Sequence, residues 1–390
     1  MIAISEKGMD ILSIKSKHTN FVENYTEPII TFYIEIFNLL LNIEGKAGVT
    51  DRCIIREVER IKNETGCGNY KKLLQAILKR SSRVTSLDHA AEIKKEKNRI
   101  YSRTDIKKVK TLLETFLTEY KIFLNIELHD NSPLTLTEYQ NLCHKYALLG
   151  PLIDYVFDYE DWFLKLPATA EWGPYQLTGS LETNTCPYCN RQYTFTVFQR
   201  NGNKISRPAL DHFLPKSRHP FLALSFYNLI PACTVCNSGL KGALEISYSK
   251  FLNPYEENDK HGLMRFTYIP EDYESSIGLG NRIKIEAQYA GDPDDQTLNN
   301  KVNGNISLFS LNELYHNHRD IVQEIIWKRH HANDHYISIL QRMFKKFDLS
   351  TDDAYRFAYG NYYKEKDFYK RTLSKLTKDI AIELGSLIKY

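Results

Sequence analysis

Apolar residues recur at helical spacing in three parts of the chain. Leu113, Phe116, Leu117, Tyr120 and Leu124 fall on one helical face. So do Tyr336, Leu340, Met343, Phe344 and Phe347, and later Leu373, Leu376, Ile380, Leu384 and Leu387. The most apolar run, PIITFYIEIFNLLLNI (28–43), is interrupted by Glu35 and Asn38, which predicts a buried amphipathic helix and not a membrane span. Prolines sharpen the division. Residues 1–170 carry Pro28, Pro133, Pro151 and Pro167, the other nine prolines lie between Pro174 and Pro293, and none follows. Because proline interrupts helix interiors, a helical front, an irregular middle and a helical tail are expected.

Within the middle, YTFTVF (193–198) has strand composition and is followed by Asn201-Gly202, a hairpin signal. The expected second strand is SRPALDHF (206–213), irregular or at an edge because Pro208 cannot donate to a ladder. Further on, TVCNSGLKG reads as a short helix that Gly239 weakens and Gly242 terminates. The predicted fold class is mainly α with a small α+β insert. A helical segment 1–180 for partner or substrate binding precedes the insert 181–255, and 256–390 is an irregular connection followed by helices. No internal repeat is visible.

Composition adds little to this. The 390 residues are 42% hydrophobic and 25% charged, as in ordinary globular proteins, and a formal charge of +3 makes no case for a nucleic-acid partner by itself. The N-terminal stretch lacks the apolar core of a signal peptide and neither end carries a lipidation motif, so a cytoplasmic location without membrane attachment is expected.

Seven cysteines without a secretory signal argue against a disulfide scaffold. Four form two CxxC pairs, Cys186/Cys189 and Cys233/Cys236; Cys53, Cys67 and Cys143 are read as ordinary small residues. The first pair, CPYC, has the spacing of a redox dithiol. Such a dithiol belongs where a strand enters a helix, whereas Cys189 leads into a predicted hairpin. Two pairs bracketing a hairpin offer four thiolates to a tetrahedral Zn²⁺, which fills its coordination sphere and leaves the ion a structural role.

Between the pairs lies LDHFLPKSRHPFLALSFYNLIPACTVCNSGLKG. Asp211-His212 at the end of the second strand, Asn228 in YNLIP, and Asn237 and Lys241 in CNSGLKG resemble the HNH endonucleases of the ββα-metal superfamily, in their four-cysteine version. The resemblance covers roughly residues 183–255. It implies a ββα-metal module with His212 as general base, Asp211 as a ligand of a catalytic Mg²⁺ or Mn²⁺, and Asn228 orienting the loop that aims the histidine. Asn237 stands where many members have a last histidine, and its amide oxygen favours an oxygen-preferring ion. His212 suits the base role because imidazole titrates near neutrality. Lys216, Arg218 and Lys241 are candidates for phosphate contact or charge stabilisation. Taken singly, each of these residues also has a plain reading as turn former, helix-start residue or surface cation.

The layout, such a module inside helical flanks, resembles nucleases of bacterial anti-phage systems such as Septu, which work with an ABC-type ATPase. This chain has no GxxxxGK[ST] loop, so the ATPase is expected as a separate subunit. Nucleic acid, double-stranded DNA first, is the expected substrate. A non-catalytic zinc-stabilised adaptor is the alternative, and a thiol oxidoreductase a third possibility. Weaker signals are His331 and His335 with Asp334, and His316 with His318, read as a mixed polar surface. Asp88-His89, the basic stretch 92–110 and the basic-aromatic stretch 355–371 are read as solvated helix faces, and FLNPYEE (251–257) as structural closure of the insert.

Overall fold

The computed structural model describes residues 2–4, 10–43, 46, 48–78, 101–128, 136–167, 169–247, 249–255, 262–331, 339, 342–343 and 350–385. Helix α1 (Ile11–Ile43) is the axis of the N-terminal half and buries Val22, Ile29, Tyr33, Ile36, Phe37 and Leu40 along its length. Pro28 lies inside it, depriving one turn of its backbone bond. The expected helix 28–43 is thus the second half of a longer one, held through its proline by tertiary burial. Helices α2 (Asp51–Thr65), α3 (Tyr70–Leu78), α4 (Arg103–Glu119), α5 (Lys121–Asn125), α6 (Leu136–Lys145) and α7 (Gly150–Val156) surround it. Leu113, Phe116, Tyr120 and Leu124 are buried as their spacing predicts, although the stripe is shared between α4 and α5. Helix α8 (Pro174–Leu181) leads into the cysteine-bracketed segment.

That segment differs from expectation in its pairing. Strands β1 (Val197–Phe198) and β2 (Lys204–Ser206) form the hairpin across Asn201-Gly202, with Gly202 at φ 83° where a side chain would be strained. The predicted second strand breaks at Arg207-Pro208. Its remainder, β3 (Ala209–His212), pairs antiparallel with β4 (Leu229–Ala232) and not with β1. Pro208 ends one ladder because it lacks an N–H, and Pro231 is tolerated in β4 because a two-stranded sheet has open edges. The CNSGLKG stretch forms a π-helix over Val235–Lys241, closed by Gly242 at φ 51°.

A second hairpin lies where an irregular connection was expected: β5 (Met264–Pro270) against β6 (Ile283–Tyr289), with Met264, Phe266, Ile283, Ile285 and Ala287 turned inward. Helices α9 (Gln296–Leu308), α10 (Leu311–His316), α11 (Arg319–His331), α12 (Thr351–Tyr359) and α13 (Ser374–Glu383) complete the described chain. Leu376 and Ile380 are buried on α13. The predicted helix around Tyr336, Leu340, Phe344 and Phe347 lies outside the described residues, as do His335, Asp334, Asp88-His89 and the whole of 92–100. The architecture is mainly α with small antiparallel sheets. Among the described residues no helix is long and apolar enough to cross a membrane.

The C-terminal helices seat the first cysteine pair. Asn190, in the left-handed conformation at φ 48°, donates from Nδ2 to Phe368 O (3.1 Å) and accepts at Oδ1 from Lys375 N (3.2 Å). Leu373 N donates to Asn190 O (2.7 Å) and the buried Tyr315 hydroxyl to Cys189 O (2.5 Å). Helix α9 comes so close to the end of the insert that a Cβ at Gly304 would meet Lys250 O at 2.6 Å. Residues 251–255 pack back onto the insert: Asn253 Nδ2 reaches Tyr227 O (3.3 Å) and the Tyr255 hydroxyl Leu229 O (3.2 Å).

Candidate metal centre and its neighbouring histidine

The tight turn after Cys186 brings Asn190 N onto Cys186 O (2.7 Å), and the start of the π-helix brings Cys236 N onto Cys233 Sγ (3.5 Å). Both bonds fold each CxxC back on itself, so that its two sulfurs face the same way. The four Sγ atoms of Cys186, Cys189, Cys233 and Cys236 lie within 4.8 Å of one another, with Cys189 and Cys233 at 4.0 Å. A tetrahedron of about 2.3 Å bonds has edges of about 3.8 Å, so the quartet fits Zn²⁺. Burial and neighbouring sulfurs push the Cys186 and Cys236 thiols up, a conflict that a divalent cation removes. Among the described residues this is the only cluster of three or more His, Cys, Asp or Glu able to hold a metal ion. Cys53, Cys67 and Cys143 take no part in it.

Strand β3 places Asp211 and His212 on opposite faces, as adjacent strand residues must be. Asp211 is 2% exposed; its Oδ2 accepts from the Tyr188 hydroxyl (2.7 Å) and its Oδ1 from Lys241 Nζ (3.0 Å). Lys241, 1% exposed, also donates to His212 O (2.5 Å). The ammonium therefore lies beneath the strand and not on an outer surface. Burial raises the Asp211 carboxyl against the pull of Lys241 and Tyr188. Removing one partner of a buried pair leaves a naked charge. Lys241→Met should destabilise the protein by about 3–5 kcal/mol in urea titration, and adding Asp211→Asn should recover much of that.

His212 points the other way. Its Nε2 lies 3.0 Å from Ala223 O, and the Tyr159 ring stands edge-on to it at 4.4 Å. A carbonyl cannot donate, so Nε2 carries the proton and Nδ1 keeps a lone pair. Burial holds the imidazole neutral, moving its pKa down to about 3. Asn228 clasps the intervening loop: Oδ1 accepts from Leu214 N (2.7 Å), and Nδ2 donates to Leu214 O and Leu222 O (both 3.0 Å). Asn237 is half-buried on the π-helix, with its backbone N–H on Cys233 O (2.9 Å). Lys216 and Arg218 project from the loop and pair with Glu160 (2.7 Å) and Glu245 (3.1 Å). Lys216 also lines a cleft of about 410 Å³ bounded by Tyr159, Ser217 and Ala223.

Three contributors carry no local signal in the sequence. Tyr188, the spacer of CPYC, is buried against Phe309 (4.3 Å, stacked) and holds Asp211. Tyr159 walls the histidine. His18 on α1 donates from Nε2 to Leu224 O (2.8 Å) while its Nδ1 accepts from Trp172 Nε1 (3.3 Å). Two buried histidines thus grip the adjacent carbonyls of Ala223 and Leu224. Burial lowers the His18 pKa to about 4. The unfolded chain would protonate that ring near 6.5, so its contribution is complete above pH 6.5 and is lost as pH falls toward 4. Urea midpoints should therefore drop between pH 6.5 and 5 at up to about 1.4 kcal/mol per pH unit from this ring, and His18→Gln should flatten the slope.

No family model matches the chain, and no solved structure matches it. Over 100 residues, a quarter of the chain, it is 31% identical to the Septu protein PtuB of Bacillus thuringiensis. The match spans about a third (35%) of that relative's length.

Proposed function

We propose that the chain is a metal-dependent endonuclease of HNH type that hydrolyses phosphodiester bonds of nucleic acid, DNA first, within an anti-phage defence system. The observation that carries this reading is His212 at the end of β3, anchored on the Ala223 carbonyl, with Asn228 clasping the loop that follows it, in a segment bracketed by the four clustered cysteines. In this reading Nδ1 of His212 takes a proton from the attacking water, and Ala223 O fixes the tautomer that leaves Nδ1 free for it. The Tyr159 ring keeps bulk water from one side of the imidazole, and Lys241 balances Asp211 beneath the strand. Asp211 and Asn237 offer hard oxygen donors and would hold Mg²⁺ or Mn²⁺. Because Asp211 Oδ1 is given to Lys241, an ion there would share or displace the ammonium. When bound, the ion neutralises charge on the phosphoryl oxygens and assists the leaving oxygen. Lys216 and Arg218 exchange Glu160 and Glu245 for phosphate.

The likeness to a Septu protein supports the defence setting; a separate ABC-type ATPase as partner, and the helical segment 1–180 as the part that binds partner or substrate, are added by the proposal. A non-catalytic zinc-stabilised adaptor is the second reading, favoured by the near-complete burial of Asp211, His212 and Lys241 among their own partners. Supercoiled plasmid incubated with purified protein in Mg²⁺, Mn²⁺ or EDTA, alone and with the candidate ATPase, separates the two. Nicking that needs the divalent ion and His212 supports the nuclease. Failure of every combination, repeated on RNA, leaves the adaptor.

A further inference from the structure

From Thr183 to Leu210 the chain holds no aspartate or glutamate and four cations, Arg191, Arg200, Lys204 and Arg207. Along 193–197 its side chains alternate in the reverse of the usual sense. The Thr194 hydroxyl turns inward to Thr183 O (2.5 Å) and that of Thr196 to Thr178 Oγ1 (2.8 Å). Tyr193, Phe195 and Val197 stand outward, 49%, 46% and 38% exposed. A half-buried strand normally hides its apolar side, and an exposed contiguous patch marks an interaction surface. The Tyr193 and Phe195 rings are stacked, 4.8 Å apart and 14° from parallel. Phe198 packs on the Tyr175 ring (5.4 Å) on the α8 side of the hairpin, where Thr196 also points, and Lys204 and Arg207 lie over Tyr175 at 5.2 and 5.7 Å. Among the described residues none of the four cations is paired with a carboxylate; Lys204 Nζ reaches Leu166 O and Arg207 Nη1 reaches Pro208 O. Beside them a cleft of about 600 Å³ opens between α1 and α8, its lining including Lys17, Asn20, Glu171, Trp172, Tyr175 and Phe198, with one cation and one carboxylate among its residues. Burial pushes the Tyr159 phenol, the wall of His212, above its usual range, against the opposing pull of Arg207.

We propose that the β1–β2 hairpin and this cleft dock an unpaired stretch of nucleic-acid strand, with bases stacked on Tyr193 and Phe195 and phosphates on Arg200, Lys204 and Arg207. The inference rests on the nuclease reading and deepens it: the substrate carries a single-stranded element near the cut. Charge complementarity selects a polyanion, and the open ring faces select bases that are not already stacked in a duplex. An acidic peptide would use the cations but has no need of two coplanar rings.

The test uses full-length His212→Ala protein, which binds without cutting, and fluorescence anisotropy of a short labelled single strand and of its duplex. The single strand should bind more tightly. Tyr193→Ala/Phe195→Ala should weaken it by about tenfold or more while Tyr193→Phe/Phe195→Tyr does not, because stacking needs only the ring. Arg200→Gln/Arg207→Gln should lower the salt slope by about one to two. Both ring positions are exposed, so all variants should melt with the parent. Equal binding by the alanine pair, preference for duplex, or no binding of either nucleic acid would each overturn the proposal; the last hands the face to a protein partner. Cleavage assays on the same pair in the His212 background keep the two readings apart. Ring-dependent binding without cleavage sustains the platform and sinks the nuclease, while cleavage indifferent to the rings does the opposite.

Discussion

His212→Ala should lower metal-dependent cleavage by about two to four orders of magnitude, the usual contribution of a positioned general base. Zinc content and melting temperature should stay near those of the parent, because the imidazole packs against Tyr159 and Ala223 and touches none of the four cysteines. The cavity left behind works against stability, yet the ring also gives up an interior position in which it is forced to stay neutral. The decisive comparison is cleavage rate per folded, zinc-loaded molecule. A variant that cuts at the parent rate would show that another group activates water and would remove the residue on which the proposed chemistry depends. Asn228→Ala should reproduce part of the loss by freeing the loop from Leu214 to Leu222. Its defect should deepen with temperature as that loop loosens.

Chelation of the four-cysteine ion should be the most damaging treatment for the fold. Structural zinc contributes about 10–16 kcal/mol of apparent binding free energy near neutral pH, against a total stability that is usually no larger. Cys233→Ser, or prolonged incubation with a strong chelator, should release about one zinc per chain and open residues 183–255 to protease. The damage should spread into the C-terminal helices, because Tyr188 packs on Phe309 and Asn190 holds Phe368, Leu373 and Lys375. Elemental analysis, followed by mapping of the first cleavage sites, measures both effects. An unchanged digestion pattern after complete zinc loss would show that the quartet is dispensable. A reversible dithiol at Cys186 and Cys189, with no bound zinc, would restore the redox alternative.

What could be read from the chain alone follows the range of the interactions. A CxxC pair is a local object, closed by bonds between neighbours, and two such pairs point to each other without further information. Asp211-His212, Asn228 and Asn237 were singled out by the resemblance of the segment between the two pairs to the HNH pattern, and their roles stay part of the proposal. Lys241 was read as a candidate for phosphate contact or charge stabilisation, with a surface cation as its plain reading. A lysine between glycines gives no hint that it will be 1% exposed beneath a strand. His18 was invisible because its partner Leu224 lies 206 residues away and nothing in SKHTN differs from a solvated helix start. The β5–β6 hairpin was missed although its inward alternation is visible in MRFTYIP and IKIEAQY, because Pro254, Pro270 and Pro293 punctuate that part of the chain as they would an irregular connection. The strand partner of β1 was misassigned because Arg207-Pro208 divides an apparently continuous run into pieces of two sheets.

The seat of Asn190 has a consequence for the order of synthesis. Its carbonyl and side chain are satisfied by Leu373, Phe368 and Lys375, which leave the ribosome more than 170 residues later. Until then the first cysteine turn, with Tyr188 and the Asp211 that it holds, has no complete support. A nascent chain carrying every residue of the site is therefore still unfinished as a machine. On the nuclease reading proposed above, the product becomes competent only after residues 368–375 have been made and have closed on Asn190.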